Sequence, residues 1–157
     1  MKLVHFLTVA DGVEILKSDD ETYMCFISDL DVCNDGAGPS HGDPHHQSKT
    51  TYNPYLNAEK DYYIVYQPKM RTAIKPIFLG CMGRVTNLRT REWHWGVWGD
   101  CGPADKTGEA SHVLAKHVGP TTIKPNIGDK NKIYLYEAWP AVAAKVGDKQ
   151  YKLIPAG

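Results

Sequence analysis

The chain has little that would tie it to the common partners of small proteins. Its eighteen Lys and Arg balance eighteen Asp and Glu over 157 residues, so no surplus charge calls for nucleic acid or an anionic membrane surface. No apolar run is long enough to span a bilayer, and the opening Met1-Lys2-Leu3-Val4-His5-Phe6-Leu7-Thr8-Val9-Ala10-Asp11 is interrupted too early for a secretory signal. As written, the sequence is expected to be soluble and without an export signal. Cysteine is scarce. Cys25, Cys33, Cys81 and Cys101 form no CxxC pair of the zinc-ribbon kind, and free thiols are expected unless the protein works outside a cell. With no Gly-rich phosphate loop and no GxSxG elbow, nucleotide chemistry and serine-nucleophile hydrolysis fall away. Cys101 beside Asp100 lacks a papain-like setting.

What is present is a chain of many short strands. Residues 1–157, 42% hydrophobic and without internal repeat, suit one compact domain. Strand-like runs at Tyr23–Ser28, Tyr62–Tyr66, Ile77–Leu88, Trp93–Gly99, Lys132–Ala138 and Tyr151–Ile154 alternate with turn-rich segments. Lys145 to Tyr151 reads as a hairpin turning at Gly147-Asp148. Helical spacing is convincing only over Glu109–Val118, where Ala110, Val113, Leu114 and Val118 recur before the Gly119-Pro120 stop. The pattern predicts a mainly β fold, a closed barrel with one or two short helices.

The chemistry concentrates in Trp98-Gly99-Asp100-Cys101-Gly102-Pro103-Ala104-Asp105-Lys106-Thr107-Gly108-Glu109-Ala110-Ser111. Alternation through Trp93, His94, Trp95, Gly96, Val97 and Trp98 places Asp100 at a strand end, and the helical spacing places Glu109 in a helix's first turn. Two acids delivered from two elements are what a two-carboxylate hydrolase uses.

A second acidic group lies upstream. Between Lys17 and Lys49 stand Asp19, Asp20, Glu21, Asp29, Asp31, Asp35 and Asp43 with no Lys or Arg among them. On a strand Asp29 and Asp31 project to one face, a costly pairing unless something uses it. The run Asp29-x-Asp31 with Asp35-Gly36 approaches a calcium loop, but Cys33 stands where a further ligand belongs and the glycine is out of step. His41, His45 and His46 lack a zinc framework and read as loop or substrate-facing residues. No metal and no cofactor are expected.

The ordered set Asp29-x-Asp31-x-x-x-Asp35-Gly36, Asp43-Pro44-x-x-Gln47-x-x-Thr50, the Tyr63-Ile64-Val65 strand, Gly99-Asp100-x-Gly102-Pro103 and Gly108-Glu109-Ala110-Ser111 resembles the fungal-type chitosanases of glycoside hydrolase family seventy-five. The resemblance runs from about Tyr23 to Pro140. It implies a six-stranded double-psi β-barrel and an endo-acting, inverting hydrolase of β-1,4-linked glucosamine polymers. The family's essential aspartate and glutamate map onto Asp100 and Glu109, and the upstream match places Asp29, Asp31, Asp35, Asp43 and Gln47 in or near the cleft.

On this reading the whole chain is one catalytic domain acting, as a monomer, on a polysaccharide. It would reach an extracellular or cell-wall polymer after lysis, secretion or processing. A helix N-terminus would keep Glu109 ionised as the base that activates water, while Asp100, raised by burial or by Asp29 and Asp31, would be the acid; the reverse division of roles is the alternative. Trp98, with Trp93, Trp95, Trp139, Tyr52 and Tyr55, is a candidate for stacking on sugar rings, about half of these being core. Two rivals stand beside the chitosanase: a peptidoglycan-cleaving lysin or antibacterial effector on the same barrel, and a carbohydrate-binding barrel without catalysis.

Overall fold

The computed structural model describes residues 1–38, 48–73 and 78–154. The N-terminal strands β1 (Leu3–Thr8) and β2 (Glu14–Ser18) form an antiparallel hairpin that pairs with β3 (Met24–Cys33). Then follow β4 (Tyr63–Tyr66), α1 (Pro68–Ala73), β5 (Cys81–Asn87), β6 (Trp93–Cys101), β7 (Glu109–Ser111), α2 (His112–Val118) and β8 (Asp129–Ala143). A small hairpin, β9 (Lys145–Val146) and β10 (Lys149–Gln150), turns at Gly147 as the sequence predicts.

The sheet runs β3-β7-β4-β6-β5-β8 and closes through β3–β8 pairing, giving the expected six-stranded barrel with short helices. Two neighbouring pairs, β3–β7 and β4–β6, are parallel, and the rest of the ring is antiparallel. Closure leaves the ring without an open edge.

Aromatic side chains fill the core. Phe26 stacks on Tyr136 at 4.9 Å between ring centroids, and Trp98 meets Phe78 at 5.1 Å and Phe26 at 6.2 Å. The Trp98 indole N–H donates to the Glu137 carbonyl at 3.1 Å, so this large side chain is buried without an orphaned donor. Gly83 makes room for it: a Cβ there would lie 2.4 Å from Trp98 Nε1.

α2 lays Leu114, Ala115 and Val118 on the core, and Leu114 approaches the barrel at Gly96 beside Ile64. Its first turn differs from the sequence expectation. Glu109, Ala110 and Ser111 are strand β7, held between β3 and β4, and the helix begins at His112. The apolar spacing is shared by the strand and the helix that continues it, because Ala110 faces the core in either state. Ser111 at the cap uses its hydroxyl to accept from Tyr63 N–H, tying α2 to β4 rather than capping the helix.

Candidate active site

The register of four adjacent strands builds the site. Asp31 on β3 is paired with Glu109 on β7, Glu109 with Val65 on β4, and Val65 with Asp100 on β6. Residues paired across a sheet project to the same face, so Asp31 and Glu109 share one face with Val65. The β4–β6 register shifts between Ile64 and Val65, and Asp100 is joined to that group through Cys33, whose thiol lies 3.8 Å from Asp100 Oδ2 and also hydrogen-bonds Glu109. Two strand spacings separate the α-carbons of Glu109 and Asp100, roughly 10 Å.

Asp100 is buried. Its Oδ1 accepts from Thr51 N–H at 3.0 Å, Thr51 Oγ1 at 2.9 Å and Cys101 N–H at 3.0 Å, while the Cys33 thiol lies 3.8 Å from Oδ2. Burial, then a side-chain hydrogen bond to Asp35 and repulsion from it, push Asp100 up to about 7. Asp100 therefore keeps its proton to far higher pH than an ordinary aspartate. The carboxylate that raises it is Asp35, and not Asp29 or Asp31 as the sequence suggests.

Glu109 is also raised to about 7, first by burial, then by the charges of Asp31 and Asp100, against the Cys33 hydrogen bond and Lys106, which lower it. Glu109 lies in β7, two residues before the Ser111 cap of α2, and not in the helix's first turn where the expected dipole support acts. Lys106 supplies positive charge instead, its ammonium 3.4 Å from Asp31 Oδ2. A cavity of about 10 Å³ is lined by Val65, Gly102, Lys106, Gly108 and Glu109 among others. That is about the room a single water centre needs.

Asp29, further along β3, is pushed up to about 6 by burial and by Asp31. The fold thus brings Asp29, Asp31, Asp35, Asp100 and Glu109 into one electrostatically linked group. Asp43 and Gln47, like His41, His45 and His46, lie outside the described residues. Trp98 is a correction: at 0% exposure it belongs to the core and has no ring face for a sugar. Tyr52 is largely buried as well, whereas Trp93 and Tyr55 are exposed.

Four contributors were not legible as site residues. Thr51 anchors Asp100, and Cys33 touches both acids, its own thiol kept protonated by burial. Asp11 and Thr107 hold the chain just before Glu109, where Thr107 Oγ1 also meets Ser28 Oγ at 2.8 Å. Gly108 is required there: its φ is +86°, and a Cβ would stand 2.5 Å from the Asp29 carbonyl oxygen. Only the family motif carried a signal, for Gly108. Donor atoms of Cys33, Asp35 and Asp100 lie within 4.8 Å of one another, close enough for one cation to touch all three. The thiol contact to Asp100 and the hydrogen bond between Asp35 and Asp100 already hold these groups together.

The fold and site define a closed β-barrel with acids on three of four adjacent strands, β3, β7 and β6, and Val65 on the fourth. No family model and no curated protein matches the chain.

Proposed function

We propose that this protein is an inverting endo-glycosidase that cleaves β-1,4-linked amino-sugar polysaccharide, with Asp100 as general acid and Glu109 as general base. The observation that carries this reading is that both acids, on strands either side of β4, meet the one Cys33 thiol. An inverting pair needs carboxyl groups roughly 6.5–9.5 Å apart, to leave space for water opposite the leaving group. Acids two strands apart, about 10 Å at their α-carbons, suit that gap.

The roles follow from surroundings. Asp100, pushed up to about 7 by burial and by Asp35, keeps its proton into the neutral range and so has one to give to the glycosidic oxygen. Glu109 has Lys106 nearby to favour its charge and a water-sized cavity alongside, as the base that activates water requires. Asp29 and Asp31 add negative charge that suits a protonated glucosamine unit.

The test is incubation with chitosan and, separately, with purified cell-wall sacculi. Reducing ends and the anomeric proton of the first products are followed by NMR. Release of α-anomeric products from the β-linked chain is the expected result. Products that retain the β configuration, or no cleavage of either polymer, would overturn the reading.

A further inference from the structure

Cys33 ends β3 two residues beyond Asp31, and at 4% exposure its side chain is closed off from bulk water. The parallel register that pairs Asp31 with Glu109 pairs Cys33 with Ser111, so the same two strands carry the sulfur to the acids. Ser111 Oγ accepts from Tyr63 N–H at 3.1 Å, which fixes the tyrosine whose hydroxyl reaches that sulfur.

A thiol offers one donor and a sulfur that accepts weakly. The accepting side is taken. The Tyr63 hydroxyl shares its proton between Cys33 Sγ at 3.3 Å and the Asp35 carbonyl at 3.0 Å, and the Asp35 backbone N–H also donates to the sulfur. What the sulfur turns toward the acids is therefore its S–H, with Asp100 Oδ2 at 3.8 Å and the Glu109 carboxyl as acceptors. Burial keeps the thiol protonated far above its ordinary range, so this donor is present wherever the acids titrate. One proton cannot serve two carboxylates at once.

That single proton treats the two ionisations unequally. With both acids protonated the thiol gains little; with one ionised it gives that one a charge-assisted bond; with both ionised, one of them goes without it. The first ionisation is favoured and the second is not. The other groups facing the pair each act on a fixed side. Glu109 meets the charges of Asp31 and Lys106, and Asp29 and the buried Tyr136 lie beside Asp31. Asp100 meets Asp35, and the Tyr63 hydroxyl and Cys101 thiol feel its charge. Only the Cys33 donor can turn from one acid to the other.

We infer that Cys33 is a positioning residue for the acid pair, turning its S–H to whichever of Asp100 and Glu109 is ionised and so widening the pH range over which the pair holds one proton. The inference rests on the glycosidase reading for its use, since an inverting pair works with one acid protonated and one ionised. Carboxyl carbon-13 NMR, which needs no substrate, reads both ionisation steps. In Cys33→Ala the lower step is expected to rise by about half a pH unit or more while the upper one stays, so the two close up. Cys33→Ser keeps a donor in place and is expected to restore the separation. On chitosan the acid limb of kcat/KM is expected to move with the lower step in Cys33→Ala and to return in Cys33→Ser. If circular dichroism shows Cys33→Ala unfolded, Cys33→Val fills the sulfur's place without a donor and carries the same expectation. An unmoved lower step in the variant without a donor, or a Cys33→Ser that shifts as far, overturns the inference. A moved step in a protein that cleaves no amino-sugar polymer upholds the part of Cys33 and refutes the glycosidase reading instead.

Discussion

Asp11, in the turn between β1 and β2, accepts two hydrogen bonds at 2.8 Å from Thr107, one from its backbone N–H and one from its hydroxyl. Thr107 precedes Gly108 and Glu109, so a hairpin far away in sequence sets where β7 begins. Asp11→Ala is expected to reduce kcat ten- to a hundredfold, roughly 1.4–2.7 kcal/mol of barrier, with little change in KM. Asp11→Asn keeps the acceptor oxygen and restores most of the rate. A loss of thermal stability with unchanged kcat in the alanine variant would make the clamp purely structural.

Asp100→Asn and Glu109→Gln are each expected to lower turnover of chitosan by about a thousandfold or more, as loss of a general acid or base does. Circular dichroism and melting curves near pH 7 report whether the barrel survives. A variant that keeps wild-type rates removes its residue from the mechanism.

The shared pKa of about 7 for Asp100 and Glu109 has a consequence for rate. Since the two acids interact, they titrate as a pair, and the working form has one protonated and one ionised. Plotted against pH, kcat/KM is expected to be bell-shaped with its maximum near neutrality. A maximum below about pH 5, near ordinary carboxylate values, would contradict the burial of both groups.

Stability carries the same signature. Glu109 is raised from 4.5 to about 7, so the folded state holds this proton more tightly than the unfolded chain does. Below about pH 4 both states are protonated and the group has no effect; as pH rises toward neutrality it subtracts increasingly, to about 3 kcal/mol above pH 7. Glu109→Gln is therefore expected to melt above the wild type at pH 8 and level with it at pH 4. Equal melting temperatures at both values would show that the carboxyl is not held in a desolvated setting.

Trp98 and Gly83 give a packing prediction. Truncating the buried indole in Trp98→Ala is expected to cost about 3–5 kcal/mol by urea denaturation. Gly83→Ala, whose added methyl meets that indole, is also expected to destabilise, by about 1–3 kcal/mol. A neutral Gly83→Ala would show that the ring can move aside.

The strands were legible where alternation was strong. Trp93 through Asp100 and the central part of β8 were read as strands and are strands. The β1–β2 hairpin was not read, because Leu3–Thr8 and Glu14–Ser18 are half-exposed and alternate poorly. α1 was also missed, since Pro68–Ala73 is little more than one turn. Tyr151–Ile154 was read as a strand but makes only an isolated bridge, Ile154 to Leu79. The acid pair was found through motif order, and its true spacing came only from β4 lying between β6 and β7, a long-range pairing that no local pattern records. Trp98 was misplaced for the same reason: alternation gives the side of a strand but not which side closes on the core.

The parallel pairing of β3 with β7 joins Asp31 to Glu109 across a long stretch of sequence, and β4 reaches Asp100 only once β6 is in place. Contacts between distant segments form slowly, because the intervening chain must first give up its freedom. Regained enzymatic turnover after dilution from denaturant should therefore lag behind regained secondary structure, making bond cleavage a reporter of ring closure.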